Sequence, residues 1–463
     1  MPALALIVAL LSTFVAGCGL VARAVVHTAQ SARYVGEPGR HGELTPQEKV
    51  WARTAWKYFE NNTNARTGLV NSVDRYPSVT AWHIGDYLAA LVAARELGLI
   101  DTRTFDLRVS GVLRFLGDMA LSDGMLPNKV YQAATGIMTS FGSQPQDIGW
   151  SAVDIARLLV WLEITGQRYP TMREYVDKVV LRWSFCNVLT SAGGLQGRTR
   201  KANVSSDYPE GRLGYQQYGA AGFAVWGFDT RASTAMAPLE VVNIHGVRVS
   251  YDARPARPGD VQTPVLTTPF VLTGMEFGWR PPGFSAADAA LLKSLAEQVY
   301  AVQAARFRET GTFTARTDHQ LSQSPYFLYD AIFAAGYPWS TISDQGRSHA
   351  PLALVATRAV FGMWVLWPGS YTNALMKAVE SLNDPARGWY EGRYERSGAP
   401  EKIITLSTNA MVLEALLFKA RGTLYRQPAK KSYFDIARED VFAAGNRCLP
   451  TLPPTGAERQ RSP

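Results

Sequence analysis

The sequence predicts an all-α fold, a toroid of six α/α-hairpins with a small β-hairpin inserted. Two observations predict it. Pairs of helices separated by a glycine-marked polar loop recur six times, at a period of roughly 50 to 70 residues, whereas open solenoids of helix pairs repeat at about 34 to 47 residues. The second helix of a pair is apolar nearly all round, as in residues 219–226, which is typical of a helix buried inside a ring.

The first three hairpins carry recognisable helix-start and helix-stop residues. The sequence Thr45-Pro46-Gln47-Glu48 opens the first helix with an N-cap, a proline and an acid. Gly98 and Gly166 close the inner helices of the first two hairpins. The predicted helices of these hairpins cover residues 44–62 and 81–97, 104–121 and 148–165, and 171–189 and 215–227.

The last three hairpins are less regular. Residues 239–251 alternate in the manner of a β-hairpin, with His245-Gly246 as the turn. Pro368-Gly369 predicts a break in the last outer helix. The predicted helices here cover residues 231–236 and 268–278, 286–310 and 324–335, and 351–382 and 407–422.

The composition fits one large body. Of 463 residues, 47% are hydrophobic and 19% are charged, which excludes a disordered or fibrous protein. The hairpins assign residues 44–448 to one toroidal domain, followed by a proline-containing tail, 449–463, that we expect to be disordered. The net charge is +8, but the basic residues are scattered, so we expect no nucleic-acid partner. The sequence leaves the oligomeric state open.

The N-terminus predicts export. Residues 1–17 contain an apolar run and end in Val15-Ala16-Gly17 before Cys18, a pattern that resembles the lipobox of a lipoprotein signal peptide. Lipidation of Cys18 would anchor the chain to a membrane of the cell envelope, on its periplasmic face, with residues 18–43 as a linker. Because no Lys or Arg precedes the apolar run, an uncleaved anchor over residues 3–26 is the alternative.

The remaining cysteines leave two interpretations open. Cys186 and Cys448 can pair in an oxidising compartment, or Cys186 can stay buried and unpaired. The chain has no CxxC, HxH or HExxH pattern, so we expect no metal site and no cofactor.

The loops that precede the inner helices are rich in aromatic and acidic residues. Aromatic faces stack on sugar rings, and glycoside cleavage needs one carboxylic acid and a second carboxylate. We therefore expect a polysaccharide or oligosaccharide partner. The candidate catalytic residues are Glu210, Asp74, Asp147, Glu391 and Asp318, and the candidate substrate-binding residues are Trp82, His83, Trp150, Arg212, Tyr215, Tyr326, Trp389, Arg393 and Asn409.

Glu210 is the first of these candidates. A proline and two glycines around it predict a tight, non-helical loop immediately before an inner helix, where aromatic neighbours could raise its pKa. The loop with Glu391 and Glu395 offers two carboxylates, of which we expect one to pair with an arginine. For any single loop carboxylate, a helix cap or an ion pair is the competing interpretation.

Several stretches together resemble a bacterial envelope family of unknown function with a glucoamylase-like helical toroid. More distantly, the chain is similar to endo-β-1,2-glucanases and to the cyclising domain of cyclic glucan synthases, which implies an envelope glucan as substrate. Residues 267–270 (TTPF) depart from relatives that place a Ser-Glu pair before the proline. The resemblance rests on residues 67–70 (TGLV), 80–87 (TAWHIGDY), 147–151 (DIGWS), 206–215 (SDYPEGRLGY), 275–278 (MEFG), 324–327 (SPYF) and 408–414 (TNAMVLE).

The expected function is that of a glycoside hydrolase or transglycosylase acting on an envelope or exopolysaccharide glucan. Two alternatives stay open. One is a non-catalytic lipoprotein that binds or assembles polysaccharide, and the other is a polysaccharide lyase, in which Tyr215 or His83 removes the proton and Arg212 neutralises a uronic acid.

Overall fold

The computed structural model describes residues 39–201, 204–255, 263–427, 432–437 and 447–450. The expected export signal, the lipobox Cys18, residues 18–38 of the linker and residues 451–463 of the tail lie outside the described residues. Within the described ranges, no helix combines the length and the hydropathy needed to span a bilayer.

Six inner helices form the wall of a ring. Each packs against the next one along the chain, and the last packs against the first, so the contacts close. Nearly every residue of these helices is buried, which explains why they are apolar all round. The inner helices are α2 (Ala81–Glu96), α4 (Ala152–Arg168), α6 (Tyr215–Ala224), α8 (Thr268–Phe277), α10 (Thr357–Leu366) and α12 (Leu406–Arg421).

The other helices pack around this ring. The first of them begins with a reciprocal capping box between Thr45 and Glu48, as its start sequence predicts. Two short 3₁₀ helices, Pro170–Met172 and Ala350–Leu352, lie between the longer elements. The outer helices are α1 (Pro46–Asn62), α3 (Thr102–Asp118), α5 (Arg173–Arg182), α7 (Arg231–Thr234), α9 (Ala286–Thr310), α11 (Ser370–Val379) and α13 (Tyr433–Ala437).

Short antiparallel strands fill the connections between the helices. The fold is therefore helix-rich, and the prediction of an all-α fold with a single β-hairpin is corrected. The sheets are β1-β4-β5, β10-β11-β14 and β15-β17-β16 with β18 on β17, beside four separate hairpins. The strands are β1 (Ser78–Val79), β2 (Leu121–Ser122), β3 (Leu126–Pro127), β4 (Val130–Gln132), β5 (Met138–Thr139), β6 (Gln196–Lys201), β7 (Val204–Pro209), β8 (Leu239–Ile244), β9 (Val247–Asp252), β10 (Asp318–Gln320), β11 (Phe327–Asp330), β12 (Phe333–Ala334), β13 (Tyr337–Pro338), β14 (Thr341–Ile342), β15 (Leu354–Ala356), β16 (Asn383–Asp384), β17 (Gly388–Tyr394) and β18 (Pro400–Ile404).

The fifth inner helix is not where the sequence predicts it. Residues 324–335, expected to be helical, contain strands β11 and β12 instead, because a short aromatic run between proline and glycine suits a strand better than a helix. The fifth inner helix is α10, which we expected to be the first half of the last outer helix. At Pro368-Gly369, between α10 and α11, the chain passes from the inner layer of helices to the outer layer. The hairpin β8–β9, by contrast, forms with His245-Gly246 as its turn.

A disulfide joins Cys186, which follows α5, to Cys448 near the end of the described chain. Of the two interpretations left open by the sequence, the paired one holds. The bond fixes the C-terminal segment to the outer layer, beside the aromatic side chain of Phe185.

The inner helices all begin at the same end of the ring, which we call the N-terminal mouth. Asp318, the first residue of β10, illustrates this: it contacts Tyr215 at the start of α6 and Arg358 at the start of α10. The opposite end, where the inner helices finish, is the C-terminal mouth.

Candidate active site

The candidate site lies at the N-terminal mouth, where the connecting loops meet the first turns of the inner helices. N–H groups at the start of a helix lack partners within the helix and carry the positive end of its dipole. The mouth therefore favours negatively charged groups, and the loops leading into it supply carboxylates.

Asp154 and Glu210 form a carboxyl pair at the start of α4. Asp154 lies in the first turn, and its N–H donates to the hydroxyl of the N-cap Ser151 at 3.1 Å. Glu210 follows β7, and its Oε2 accepts the N–H of Ala152 at 2.5 Å. Both carboxyl side chains are partly buried. The start of one inner helix thus holds two acidic groups from separate parts of the chain.

The surroundings of this pair raise the pKa of Asp154. Burial raises the pKa of Asp154 to about 7, and the Glu210 carboxylate raises it as well, against hydrogen bonds from Ser151 and Thr80. Burial also raises the pKa of Glu210, while the Ser151 hydroxyl and the Ala152 N–H lower it. The helix dipole favours charge on Glu210. Asp154 is consequently about half protonated at neutral pH, as a general acid requires.

Lys129 supplies a positive charge beside the two carboxyl groups. Burial lowers the pKa of its ammonium group, and the charges of Glu210 and Asp154 oppose that shift. Its Nζ lies 5.2 Å from the centre of the Tyr208 ring. The amine lowers the pKa of both carboxyl groups and so limits the effect of burial.

A second cluster of polar side chains is centred on Asp318. The Tyr215 hydroxyl donates to Asp318 Oδ1 at 2.9 Å, and Arg358 pairs with Oδ2 at 3.0 Å. Burial, together with the Asp318 charge, holds the pKa of Tyr215 well above its usual value, so its hydroxyl stays protonated. The Asp318 side chain is accordingly held in place by two donors.

Aromatic and imidazole side chains lie beside the Asp154–Glu210 pair and the cluster around Asp318. The Trp82 ring meets the Tyr215 ring edge-on, with centroids 5.6 Å apart. The Thr80 N–H donates to Nδ1 of His83 at 3.2 Å, which assigns the ring proton to Nε2. Burial lowers the pKa of His83 to about 4, so the ring is a neutral donor at pH 7.

Of the residues predicted from the sequence, the structure brings Glu210, Asp318, Trp82, His83 and Tyr215 to this mouth. Glu391 lies behind them, only 1% exposed, and accepts hydrogen bonds from Thr405 at 2.7 Å, Thr408 at 2.6 Å and the Gln320 N–H at 3.0 Å. The two threonines tie Glu391 to the start of α12 and the Gln320 N–H ties it to β10, so Glu391 holds these two elements together.

Two predicted acids have structural partners instead. Asp74 pairs with Arg387 and accepts a hydrogen bond from Asn62 at 3.0 Å. Asp147 caps its loop, since it accepts from the Ser122 hydroxyl at 2.6 Å and from the Gly149 N–H at 3.0 Å. For both, the interpretation as an ion-pair or capping partner fits better than a catalytic one. Glu395 likewise pairs with arginine, as expected for one acid of its loop.

The remaining predicted binding residues do not join the site. Trp150, Trp389 and Asn409 are fully buried and bond to neighbouring backbone, so a ligand cannot reach them. The guanidinium of Arg212 donates to the Pro255 carbonyl at 3.2 Å. Tyr326 is 64% exposed on the loop between β10 and β11, and Arg393 lies in β17, between β15 and β18.

Three residues of the site were missed in the sequence. Ser151-Ala152-Val153-Asp154 has the spacing of a helix-capping pair, and Ser151 does cap α4. Because this role explains the pattern, it hides Asp154 as a candidate proton donor. Lys129 and Arg358 belong to no recognisable pattern, because their partners come from other loops of the ring. No group of three or more His, Cys, Asp or Glu side chains is arranged to bind a metal within the described residues.

A closed ring of inner helices with carboxyl groups at one mouth defines an α/α-toroid protein. The chain belongs to the family described as a protein of unknown function, DUF3131, which matches residues 50–422. No curated protein matches the sequence.

Several solved structures share the fold. An endo-β-1,2-glucanase from Chitinophaga pinensis, in complex with sophorotriose and glucose, aligns with a TM-score of 0.61 at 10% identity, over 82% of this chain and 94% of the other. A candidate glucoamylase from Bacteroides uniformis gives 0.61 at 11%, over 83% and 94%. An endo-β-1,2-glucanase variant from Talaromyces funiculosus, in complex with β-1,2-glucan, gives 0.54 at 12%, over 89% and 94%. The chain therefore has a glucoamylase-like toroid fold.

Proposed function

We propose that the protein is an exported glycoside hydrolase or transglycosylase that acts on an envelope or exopolysaccharide glucan. The observation that carries the proposal is the Asp154–Glu210 pair, in which burial and a neighbouring charge keep a proton on one carboxyl group near neutral pH. Glycosidases need such a carboxylic acid to protonate the leaving oxygen.

In this mechanism Asp154 donates its proton to the glycosidic oxygen as the bond to the sugar carbon breaks. Glu210 stays charged on the Ala152 N–H and keeps the pKa of Asp154 high. Asp318 is our candidate for the second carboxylate, which takes a proton from water in hydrolysis or from a sugar hydroxyl in transglycosylation. Trp82 and Tyr215 offer ring faces for sugars.

The glucan class is supported by the relatives of the fold. Structures with the same toroid are named as endo-β-1,2-glucanases and contain sophorotriose or β-1,2-glucan. Because a fold alone does not define an activity, the substrate remains part of the proposal.

The protonation states argue against a lyase. A lyase base must lose its proton near neutral pH, whereas burial and Asp318 push the pKa of Tyr215 upward. Nδ1 of His83 already accepts the Thr80 N–H, which leaves Nε2 as a donor. A non-catalytic polysaccharide-binding protein is the other alternative, and it requires no protonated carboxyl group.

Export to the envelope as a lipoprotein anchored through Cys18 is part of the same proposal. The Cys186–Cys448 disulfide supports it, because structural disulfides persist in oxidising compartments outside the cytoplasm.

The test is to incubate the purified protein with β-1,2-, β-1,3-, β-1,4- and α-linked glucans and to analyse the products by chromatography. We expect shortened or transferred oligosaccharides from at least one glucan, and at least a 100-fold loss of activity in Asp154→Asn. Asp147→Asn is the matched control and should stay active. Binding without any product would favour a binding protein, and a product that absorbs in the ultraviolet would indicate a lyase.

A further inference from the structure

The C-terminal mouth contains a cavity that the proposed activity does not use. Its volume is about 1190 Å³, and it lies among the ends of α2, α4, α6 and α12, at the opposite end of the ring from Asp154. Among the described residues, five arginines and three acids line it, which gives this part of the wall a net positive charge: Arg168, Arg173, Arg280, Arg421, Arg426, Glu96, Glu163 and Asp435.

Three of the arginines hold the cavity wall together. Arg168 and Arg421 both pair with Glu96, at 2.6 and 3.0 Å, and Arg173 pairs with Glu163 at 2.6 Å. Arg168 is also nine-tenths buried, and its Nε has no hydrogen-bond partner among the described residues. A buried donor without a partner at a cavity wall is costly unless a ligand or water accepts from it.

The other two arginines have no such structural role. The side chains of Arg280 and Arg426 are exposed at the cavity rim, and neither forms an ion pair within the part of the chain that the structure describes. Two exposed guanidinium groups beside basic cavity walls attract phosphate, which arginine binds with paired N–H donors.

The chain also enters the fold on this side. The Arg40 N–H donates to the Val365 carbonyl at 2.7 Å, and the Gly42 N–H donates to the Lys419 carbonyl at 2.9 Å. Val365 lies in the last turn of α10 and Lys419 near the end of α12. An anchor at Cys18 would therefore be attached to the C-terminal mouth, through a segment that spans at most roughly 70 Å.

We infer that the C-terminal mouth docks on an anionic bilayer surface, with the phosphate of a lipid headgroup bound at the arginine-lined cavity. The inference rests on the proposed lipid anchor, and it turns the N-terminal mouth, with Asp154 and Glu210, away from the membrane. Anionic lipids attract clustered basic residues within about a Debye length of the surface. The ligand chemistry is the phosphodiester of a headgroup with a net negative charge, supplied by phosphatidylglycerol in the test; in phosphatidylcholine the choline cation cancels that charge.

The experiment uses the processed chain from residue 18 with Cys18→Ser, so that no acyl chain contributes to binding. Sedimentation with phosphatidylglycerol/phosphatidylcholine vesicles at low salt should show binding that pure phosphatidylcholine vesicles do not. The double variant Arg280→Gln/Arg426→Gln should bind the anionic vesicles on the order of tenfold more weakly. Both side chains are exposed, so the substitutions should leave thermal unfolding unchanged.

The matched control is Arg75→Gln/Arg347→Gln, which removes the same charge from exposed loops ahead of α2 and α10. It should bind the vesicles like the parent chain. Equal binding by both double variants would overturn the inference, as would binding of a soluble acidic polysaccharide with no binding to vesicles. Since the readout is vesicle binding, its failure leaves the glycosidase proposal standing, and an inactive enzyme leaves the docking result standing.

Discussion

At the scale of single residues, the site depends on which carboxyl group keeps its proton. Asp154 and Glu210 meet at the start of α4, where burial disfavours charge on both and the Glu210 carboxylate raises the pKa of Asp154 further, while the Ala152 N–H favours charge on Glu210. Two carboxyl groups in different surroundings can then divide the roles of proton donor and charged neighbour.

This division predicts a pH dependence. Asp154 must be protonated to act as the acid, so kcat/KM should fall as the pH rises through about 7. In Glu210→Gln the neighbouring charge is gone, the pKa of Asp154 falls, and the alkaline limb of the profile should move to lower pH. Measurement of kcat/KM from pH 4 to 9 in both proteins tests this.

An unchanged limb in Glu210→Gln would show that the two carboxyl groups are not coupled. Asp74→Asn serves as the control, because Asp74 pairs with Arg387 and lies outside the pair. Its profile should keep the wild-type limb.

Part of the site is predictable from the sequence, for reasons that particular residues show. Glu210 was predicted because proline and glycines fix its loop ahead of an inner helix, whereas Asp154 was hidden by its capping position. Trp150 and Trp389 stand beside loops in the sequence, but their rings turn into the core. Proximity to a loop predicts where a residue lies along the chain, but it does not predict the direction of its side chain.

At the scale of elements, the helices were more predictable than the strands. An inner helix is apolar on every side, and this signal found α2, α4, α6, α8 and α12. Strands such as β11 and β16, two to four residues long, have too few residues for a period to appear. The sequence therefore predicted the ring but not the strands in its connections, apart from the β8–β9 hairpin.

The Cys186–Cys448 disulfide gives a prediction at this scale. It ties the C-terminal segment to the end of α5 across a separation of 262 residues, and it restricts the unfolded chain accordingly. Cys186→Ser should lower the free energy of unfolding by about 2 to 5 kcal/mol, measured by urea denaturation.

Reduction of the wild-type protein should lower its stability to the same extent, while the variant should not respond to reductant. A variant as stable as the oxidised wild type would contradict the role given to the bond.

At the scale of the whole molecule, the ring closes around a buried ion cluster. Arg157 on α4 pairs with Asp86 on α2 at 2.8 Å and Glu414 on α12 at 2.7 Å, and it contacts Glu276 on α8. Its guanidinium also lies 5.5 Å from the centre of the Trp82 ring at the N-terminal mouth. Arg157 thus connects α4 to three other inner helices and also contacts Trp82 of the candidate site.

Removal of Arg157 should destabilise the ring. Arg157→Met leaves buried carboxylates without a counter-ion, which should cost about 3 to 5 kcal/mol of unfolding free energy at pH 7. The loss should shrink toward pH 5, since the unpaired carboxyl groups can take up protons. Urea denaturation at both pH values measures it.

Arg75→Met is the control for this experiment, since the Arg75 side chain is 83% exposed, and we expect a change within about 0.5 kcal/mol. A similarly small effect of Arg157→Met would mean that the cluster does not hold the ring together.

Asp154 is the proton donor of the proposed mechanism, and the leaving-group dependence of Asp154→Asn tests this role most directly. An oligosaccharide capped with nitrophenol has a leaving group that needs no protonation, whereas a natural glucan does need it. If Asp154 is the acid, Asp154→Asn loses at least 100-fold in kcat/KM on the glucan and far less on the nitrophenyl substrate. Equal losses on both substrates, or full activity on the glucan, would contradict it.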